Sequence, residues 1–254
     1  MYRPRIIPTL LLNNDHLVKS VKFSKYDYIG DPINAVKIYN DLAADELVFL
    51  DITASKENRL INLDFVREVG EEANMPFAVG GGIQSLDDIQ KIIAAGAEKV
   101  VIGHAATQDE SFIKSACDAF GSSTIAVCID VKKNLWGKEK VCSLNAKKTH
   151  DFDAVSFAQK MEHLGVGEII IQSVDHDGTM QGYNEALTKK IIESVSIPVV
   201  CLGGAGTKED LKAIYQSCSP NGLAAGSMFV YQGTQKGVLI NYLNKEEKEK
   251  IYEQ

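Results

Sequence analysis

The chain has 254 residues, 34 of them acidic and 27 basic, for a net charge of −7. At 45% hydrophobic and 24% charged it is long and apolar enough to bury a large core, which excludes a disordered tail or a small disulfide scaffold. The acidic balance argues against a general nucleic-acid groove, and the apolar runs fall well short of the roughly 20 residues of a membrane span.

From the N-terminus, MYRPRIIPTLLLNN carries no secretory pattern, so a soluble, cytoplasmic protein is expected. Segment 5–12 opens a series of short, nearly continuous apolar runs: 46–52, 76–82, 99–103, 124–130, 168–174, 197–204 and 222–228. Such continuity marks strands buried on both faces, as in a parallel sheet. Stretches with a 3.6-residue period lie between them, among them 31–43, 85–96 and 207–217, the last two opened by Ser85 and Thr207 as N-caps. Eight strands, each followed by a helix, predict a (β/α)8 barrel of the α/β class rather than an open doubly wound sheet. No linker or break in composition divides the chain, so one domain over 1–254 is expected.

An internal repeat supports the barrel. At an offset of 122 residues IPVVCLGGAGTKEDL (197–211) overlays MPFAVGGGIQSLDDI (75–89), bringing Gly203 onto Gly81, Gly204 onto Gly82, Thr207 onto Ser85 and Asp210 onto Asp88. Glu168 falls on Glu46 at the same offset. The chain reads as two similar half-barrels. Its cysteines (Cys117, Cys128, Cys142, Cys201, Cys218) are odd in number and show no CxxC, so free thiols in a reducing compartment are expected. Cys128 and Cys201, inside apolar runs, read as core filler.

In a barrel of this kind ligands bind where strand C-termini and helix N-termini converge. Gly80-Gly81-Gly82 and Gly203-Gly204-Ala205-Gly206 both fall there, each ahead of an N-capped helix, and Ala225-Gly226-Ser227 follows the eighth strand. Small residues admit a phosphate to backbone N–H groups and a helix N-terminus, so an anionic, doubly phosphorylated substrate suits the two clusters; tight βα turns would need the same glycines. Asp130 and Asp51 end strands five and two. Each is a candidate general acid/base, or else a cap of a neighbouring loop. Asp175 and Asp177 in SVDHDGT either bind hydroxyls or shape a turn. Lys132, Lys133, Lys138, Lys140, Lys147 and Lys148 surround Trp136 after strand five, as a mobile basic flap or as a solvated face. At the opposite rim Arg5, Glu46, Lys99 and Glu168 start strands one, two, four and six. They either neutralise one another on the axis or, more simply, face solvent. No ligand spacing implies a metal or an organic cofactor.

RIIP, GDP (30–32), ADELVFLDITAS (44–55), VGGGI (79–83), DGT (177–179), GY (182–183) and GGAG together resemble, in order and spacing, the cyclase subunit of imidazole glycerol phosphate synthase. The resemblance covers nearly the whole chain. It implies a barrel that receives ammonia from a glutaminase docked on its N-terminal face, with Arg5, Glu46, Lys99 and Glu168 as the gate, replacing the solvent-facing reading. It further implies Lys19 on a mobile first loop, Asp51 near the substrate, Asp130 as a catalytic acid/base and Glu98 at the docking face.

The departures lie at the chemistry. Where the family has CLDV, this chain has Thr9-Leu10-Leu11-Leu12, and Leu11 stands in place of the second catalytic carboxylate. A shift of 119 likewise sets Leu11 on Asp130. Gly103-His104 replaces an Asn-Ser/Thr pair, and Leu202 a phosphate-side Ser. A kept gate and a broken dyad fit an ammonia-using paralogue with another acceptor, such as a sugar acetamido group converted to an amidine in surface-polysaccharide synthesis. The alternatives are imidazole glycerol phosphate formation with His104 replacing the lost Asp, and a non-catalytic activator of a glutaminase.

Overall fold

The computed structural model describes residues 3–134, 136–233 and 235–253; Met1, Tyr2, Leu135, Thr234 and Gln254 of the expected domain lie outside the described residues. Eight parallel strands close on themselves: β1 (Arg5–Asn13), β2 (Leu47–Asp51), β3 (Phe77–Gly80), β4 (Lys99–Ile102), β5 (Ile125–Lys133), β6 (Glu168–Ser173), β7 (Val199–Leu202) and β8 (Gly222–Ala225). The pairing of β8 with β1 completes the ring, Arg5 opposite Gly222 and Ile7 opposite Ala224. The (β/α)8 barrel expected from the sequence is thus present.

Helices α1 (Pro32–Asp41), α2 (Leu63–Glu72), α3 (Leu86–Ala94), α4 (Glu110–Phe120), α5 (Ala154–His163), α6 (Glu185–Ile192) and α7 (Lys208–Cys218) follow strands one to seven. A short α8 (Ser227–Val230) follows β8, and α9 (Lys245–Tyr252) ends the fold. Ser85 and Thr207 cap α3 and α7 with complete capping boxes, Asp88 and Asp210 answering from the third position. The repeat thus reaches the local geometry of the two helix starts. It also accounts for two excursions. β1 runs into an antiparallel meander, His16–Val21 and Ser24–Gly30, and β5 runs into another, Glu139–Ser143 and Lys148–Thr149.

Strand alternation sorts the side chains. Ile6, Leu10, Phe49, Val79, Val127 and Ile169 pack outward beneath the helices. Ile7, Val48, Ala78, Val101, Ala126, Ile170, Val200 and Ala224 fill the axis. The same period therefore sends Arg5, Lys99 and Glu168 to the lower rim, and Leu11, Asp130 and Gln172 to the upper one.

Candidate active site

At the lower rim the four charges form a closed ring. The Arg5 guanidinium donates to Glu46 Oε2 through Nη1 and to Glu168 Oε2 through Nη2. Lys99 Nζ donates to Glu168 Oε1 at 2.8 Å and lies 3.7 Å from Glu46 Oε1. Both carboxylates are buried, 5% and 6% exposed, so the ring spans the axis and does not fray into solvent. Burial raises the Glu46 carboxyl above its ordinary range, against the pull of Arg5 and Lys99. Two buried anions are tolerable here because each faces two cations and accepts a charge-assisted hydrogen bond.

At the upper rim a cavity of about 1020 Å³, counted with its space open to solvent, is lined by Leu11, Leu50, Gly81, Gly82, His104 and Asp130 among others. The Asp130 carboxyl stands in it, and burial pushes it up to about 7; a hydrogen bond from Cys128 opposes that, and the Asp177 charge adds to it. Cys128 Sγ donates to Asp130 Oδ1 at 3.6 Å, and Cys142 Sγ to the Asp130 carbonyl at 3.4 Å. Both thiols are held well up by burial, that of Cys142 to about 12, so neither is a ready nucleophile. Cys128 packs against the axial core as expected and, sharing strand parity with Asp130, also lines the cavity. Cys201 is buried as expected. Leu11, which pairs with Leu50 on β2, presents only hydrocarbon to this space.

Asp51 also lines the cavity, but as a cap. Its Oδ1 accepts from Thr53 N (2.9 Å), Thr53 Oγ1 (2.8 Å) and Ala54 N (3.1 Å), and Arg59 Nη1 donates to Oδ2 at 2.6 Å. A carboxylate so engaged has both oxygens committed as acceptors and orients Arg59. Of the two readings open for Asp51, loop cap and acid/base, the geometry has the first. Arg59, eight positions on in a polar loop, gave no sequence signal.

A second, narrower cavity of about 360 Å³ adjoins the first across Leu11, Ser20 and Gln172; Thr9, Lys19, Asp177, Leu202, Gly203, Gly204, Gly226 and Ser227 line it too. The two glycine turns expected to cooperate on strands seven and eight meet there. Lys19 lies in the connection between β1 and α1, where that connection is built as the strand His16–Val21; it is 4% exposed, and its Nζ donates to the Thr9 carbonyl at 2.5 Å. Burial lowers the Lys19 ammonium to about 8, opposed by the charge of Asp177. Asp177 is buried beside it, accepting from Gln172 Nε2 at 3.2 Å and from Ser20 Oγ at 3.5 Å. Asp175 instead accepts from Lys133 N and closes the neighbouring turn. Gly226 is small because a Cβ there would stand 2.2 Å from Lys19 Nζ.

The other glycines also have a packing reason. A Cβ on Gly82 would meet the Arg59 carbonyl at 1.8 Å, and one on Gly204 would meet the Gly182 carbonyl at 2.2 Å; both residues have φ in the left-handed region, +70° and +114°. The flap lysines Lys132, Lys133, Lys138, Lys140, Lys147 and Lys148 do not line either cavity. Lys140 donates to the Asp151 carbonyl and Lys148 to Gln108, which is the solvated-face reading. From that meander Ser143, Leu144 and Asn145 do reach the main cavity, and none of them stood out in the sequence. Among the described residues no cluster of three or more His, Cys, Asp or Glu could hold a metal ion, and no helix is long and apolar enough to cross a membrane.

A closed (β/α)8 barrel with a half-buried carboxyl raised toward neutrality and small-residue turns at its carboxyl rim defines a barrel enzyme of the kind that builds its site from βα loops. The model of the histidine biosynthesis protein family matches residues 5–236. The chain belongs to that family. It is 43% identical over 242 residues (95% of this chain, 96% of the other) to the “Putative imidazole glycerol phosphate synthase subunit hisF2” of Pseudomonas aeruginosa. It is 42% identical to imidazole glycerol phosphate synthase subunit HisF of Pyrococcus furiosus over 91% of each chain. To the subunit of that name in Lachnoclostridium phytofermentans it is 41% identical, over 97% of this chain and 96% of the other.

Proposed function

We propose that this chain is the ammonia-using synthase subunit of a two-subunit glutamine amidotransferase, a cyclase-type enzyme that delivers nitrogen to an acceptor other than the one its histidine-pathway relatives use. The observation that carries the reading is Leu11. It faces the cavity where Asp130 stands, and leucine neither takes nor gives a proton. The intact charge ring below supports retained ammonia entry from a glutaminase docked on the N-terminal face.

In this reading Arg5, Glu46, Lys99 and Glu168 form the gate, and small axial side chains such as Ala78, Ala126 and Ala224 line the way upward. The cavity around Lys19, Gly203, Gly204, Gly226 and Ser227 holds a phosphate end of the substrate, with Asp177 fixing Lys19. Gly81, Gly82, Asp51 and His104 border the other end. Asp130, poised near neutrality, takes a proton from the attacking nitrogen and returns one to the departing oxygen. A phosphorylated or nucleotide-linked N-acetyl sugar is the favoured acceptor. Its acetamido oxygen, activated by a co-reactant, is exchanged for nitrogen to give an amidine.

Two incubations test this. Ammonium salt with the ribonucleotide precursor of imidazole glycerol phosphate is expected to give little imidazole product, because loss of one proton-transfer group costs about 10²–10⁴ in rate. Robust formation of imidazole glycerol phosphate overturns the choice of acceptor. Nucleoside diphosphate N-acetyl sugars with ammonium and ATP, read by mass spectrometry, are expected to show exchange of oxygen for NH.

A further inference from the structure

His104 follows β4 and lines the main cavity. Its Nδ1 lies 3.2 Å from Ser143 Oγ, and the same Ser143 Oγ lies 2.9 Å from His150 Nε2. One buried hydroxyl, 3% exposed, therefore bridges two imidazoles, the first on the cavity wall and the second beside the exposed Lys148–Thr149 strand. The His150 ring is held in place: it stacks on Phe152 at 5.1 Å and 23°, and Phe152 stacks on Phe157 at 4.9 Å and 20°. Its backbone N–H donates to the Val141 carbonyl at 2.9 Å. With Nδ1 committed to Ser143, Nε2 of His104 is the nitrogen left for a ligand in the cavity.

A hydroxyl between two imidazoles donates to one and accepts from the other, so the chain has a direction that can reverse. We propose that His104 is a second acid/base of this site and that Ser143 and His150 conduct its proton between the cavity and solvent. The inference rests on the reading of the upper rim as the site of an ammonia-using synthesis, whichever acceptor is used there. As base, His104 takes the substrate proton at Nε2 and gives its Nδ1 proton to Ser143 Oγ. Ser143 gives its own hydroxyl proton to His150 Nε2, and His150 releases its Nδ1 proton to water. No net charge accumulates and no bond other than those to hydrogen changes. The reverse sequence delivers a proton to a leaving oxygen. The arrangement puts an acid/base on a different wall of the cavity from Leu11, where it serves an acceptor other than the ribonucleotide and leaves the position opposite Asp130 without a proton carrier.

The surroundings favour the neutral form of both rings, the form a relay of this kind starts from. Burial and the Lys148 charge lower the His104 imidazolium, and burial, Lys148 and His104 itself lower that of His150. Around the cavity the other titratable groups are Asp130, Asp51, Lys56, Tyr26, Cys128 and Cys142.

The test assays ammonium-supported turnover with the ribonucleotide and with a nucleoside diphosphate N-acetyl sugar plus ATP, side by side, in the full chain and in His104→Gln, His104→Ala, Ser143→Ala and His150→Gln. On whichever acceptor is consumed, His104→Gln is expected to lose about 10²–10⁴ in kcat with KM little changed. Ser143→Ala and His150→Gln are expected to lose less, again in kcat, and added imidazole is expected to restore part of the turnover of His104→Ala. Which acceptor is consumed judges the functional reading; the loss in the variants judges the relay. Undiminished turnover in His104→Gln overturns the relay. Ring ¹⁵N resonances read it without any acceptor: His104 and His150 are expected to titrate as a coupled pair that Ser143→Ala separates. Independent titration in the unmodified protein overturns it as well.

Discussion

Asp130→Asn is expected to make the protein more stable and less active at once, with a pH signature that identifies the cause. Burial raises the carboxyl from 3.8 to about 7. A folded-state value above the unfolded one means that the contribution of this group to stability is complete below about pH 3.8 and is lost as pH rises to 7, where the buried carboxylate has ionised. At about 1.4 kcal/mol per unit the full shift corresponds to about 4 kcal/mol. Asp130 is half-buried, and solvent screening reduces that to roughly 1–3 kcal/mol. The neutral amide does not pay this cost. Urea unfolding at pH 4, 6 and 8 is thus expected to show the variant matching the parent at pH 4 and exceeding it by about 1–3 kcal/mol at pH 8. Ammonium-supported turnover falls by about 10²–10⁴ in the same variant. A stability difference that does not change between pH 4 and pH 8 refutes the assignment of Asp130 as a buried carboxyl titrating near neutrality.

Arg5→Ala leaves Glu46 and Glu168 facing only Lys99, and a loss of about 3 kcal/mol at pH 8 is expected in urea unfolding, shrinking as pH falls and Glu46 protonates. Leu11→Asp restores a carboxyl to the cavity wall and is expected to raise imidazole glycerol phosphate formation from the ribonucleotide at least about tenfold, as seen by product absorbance. Gly226→Ala displaces the Lys19 ammonium, so the KM for a phosphorylated substrate rises several-fold while the melting temperature stays close to that of the parent. Ala126→Leu narrows the axis: glutamine-supported turnover with a glutaminase partner drops, and turnover on added ammonium salt is retained.

The sequence carried the barrel because a strand buried on both faces writes itself as an unbroken apolar run, and eight such runs are hard to arrange in another way. It carried the glycine turns and the paired capping boxes because the repeat displays each twice. It did not carry the partners that tertiary structure assigns. Asp51 looked like Asp130 until Arg59 closed on it across a loop, since two carboxylates at strand ends differ only in what reaches them. A loop at Lys19 comes with the resemblance alone, and HLVKSV (16–21) has no apolar/polar alternation to mark a strand there. That Cys128 also lines the cavity was legible: two residues before Asp130 on one strand is the same side of the sheet. The link from His104 to His150 runs through a serine 39 residues from the first histidine, on a strand pair whose register only folding sets.

The charge ring has a further consequence for how the two half-barrels find each other. Arg5, Glu46 and Lys99 belong to the N-terminal half, and Glu168 alone to the C-terminal half, so Arg5 and Lys99 reach across the boundary to complete the square. Each half exposes the complement of the other at its base. Two N-terminal halves closing together would confront surplus cations at the axis, and two C-terminal halves would bury lone glutamates. The square therefore penalises like-with-like closure, and gives a duplicated fold a reason to assemble from unlike parts.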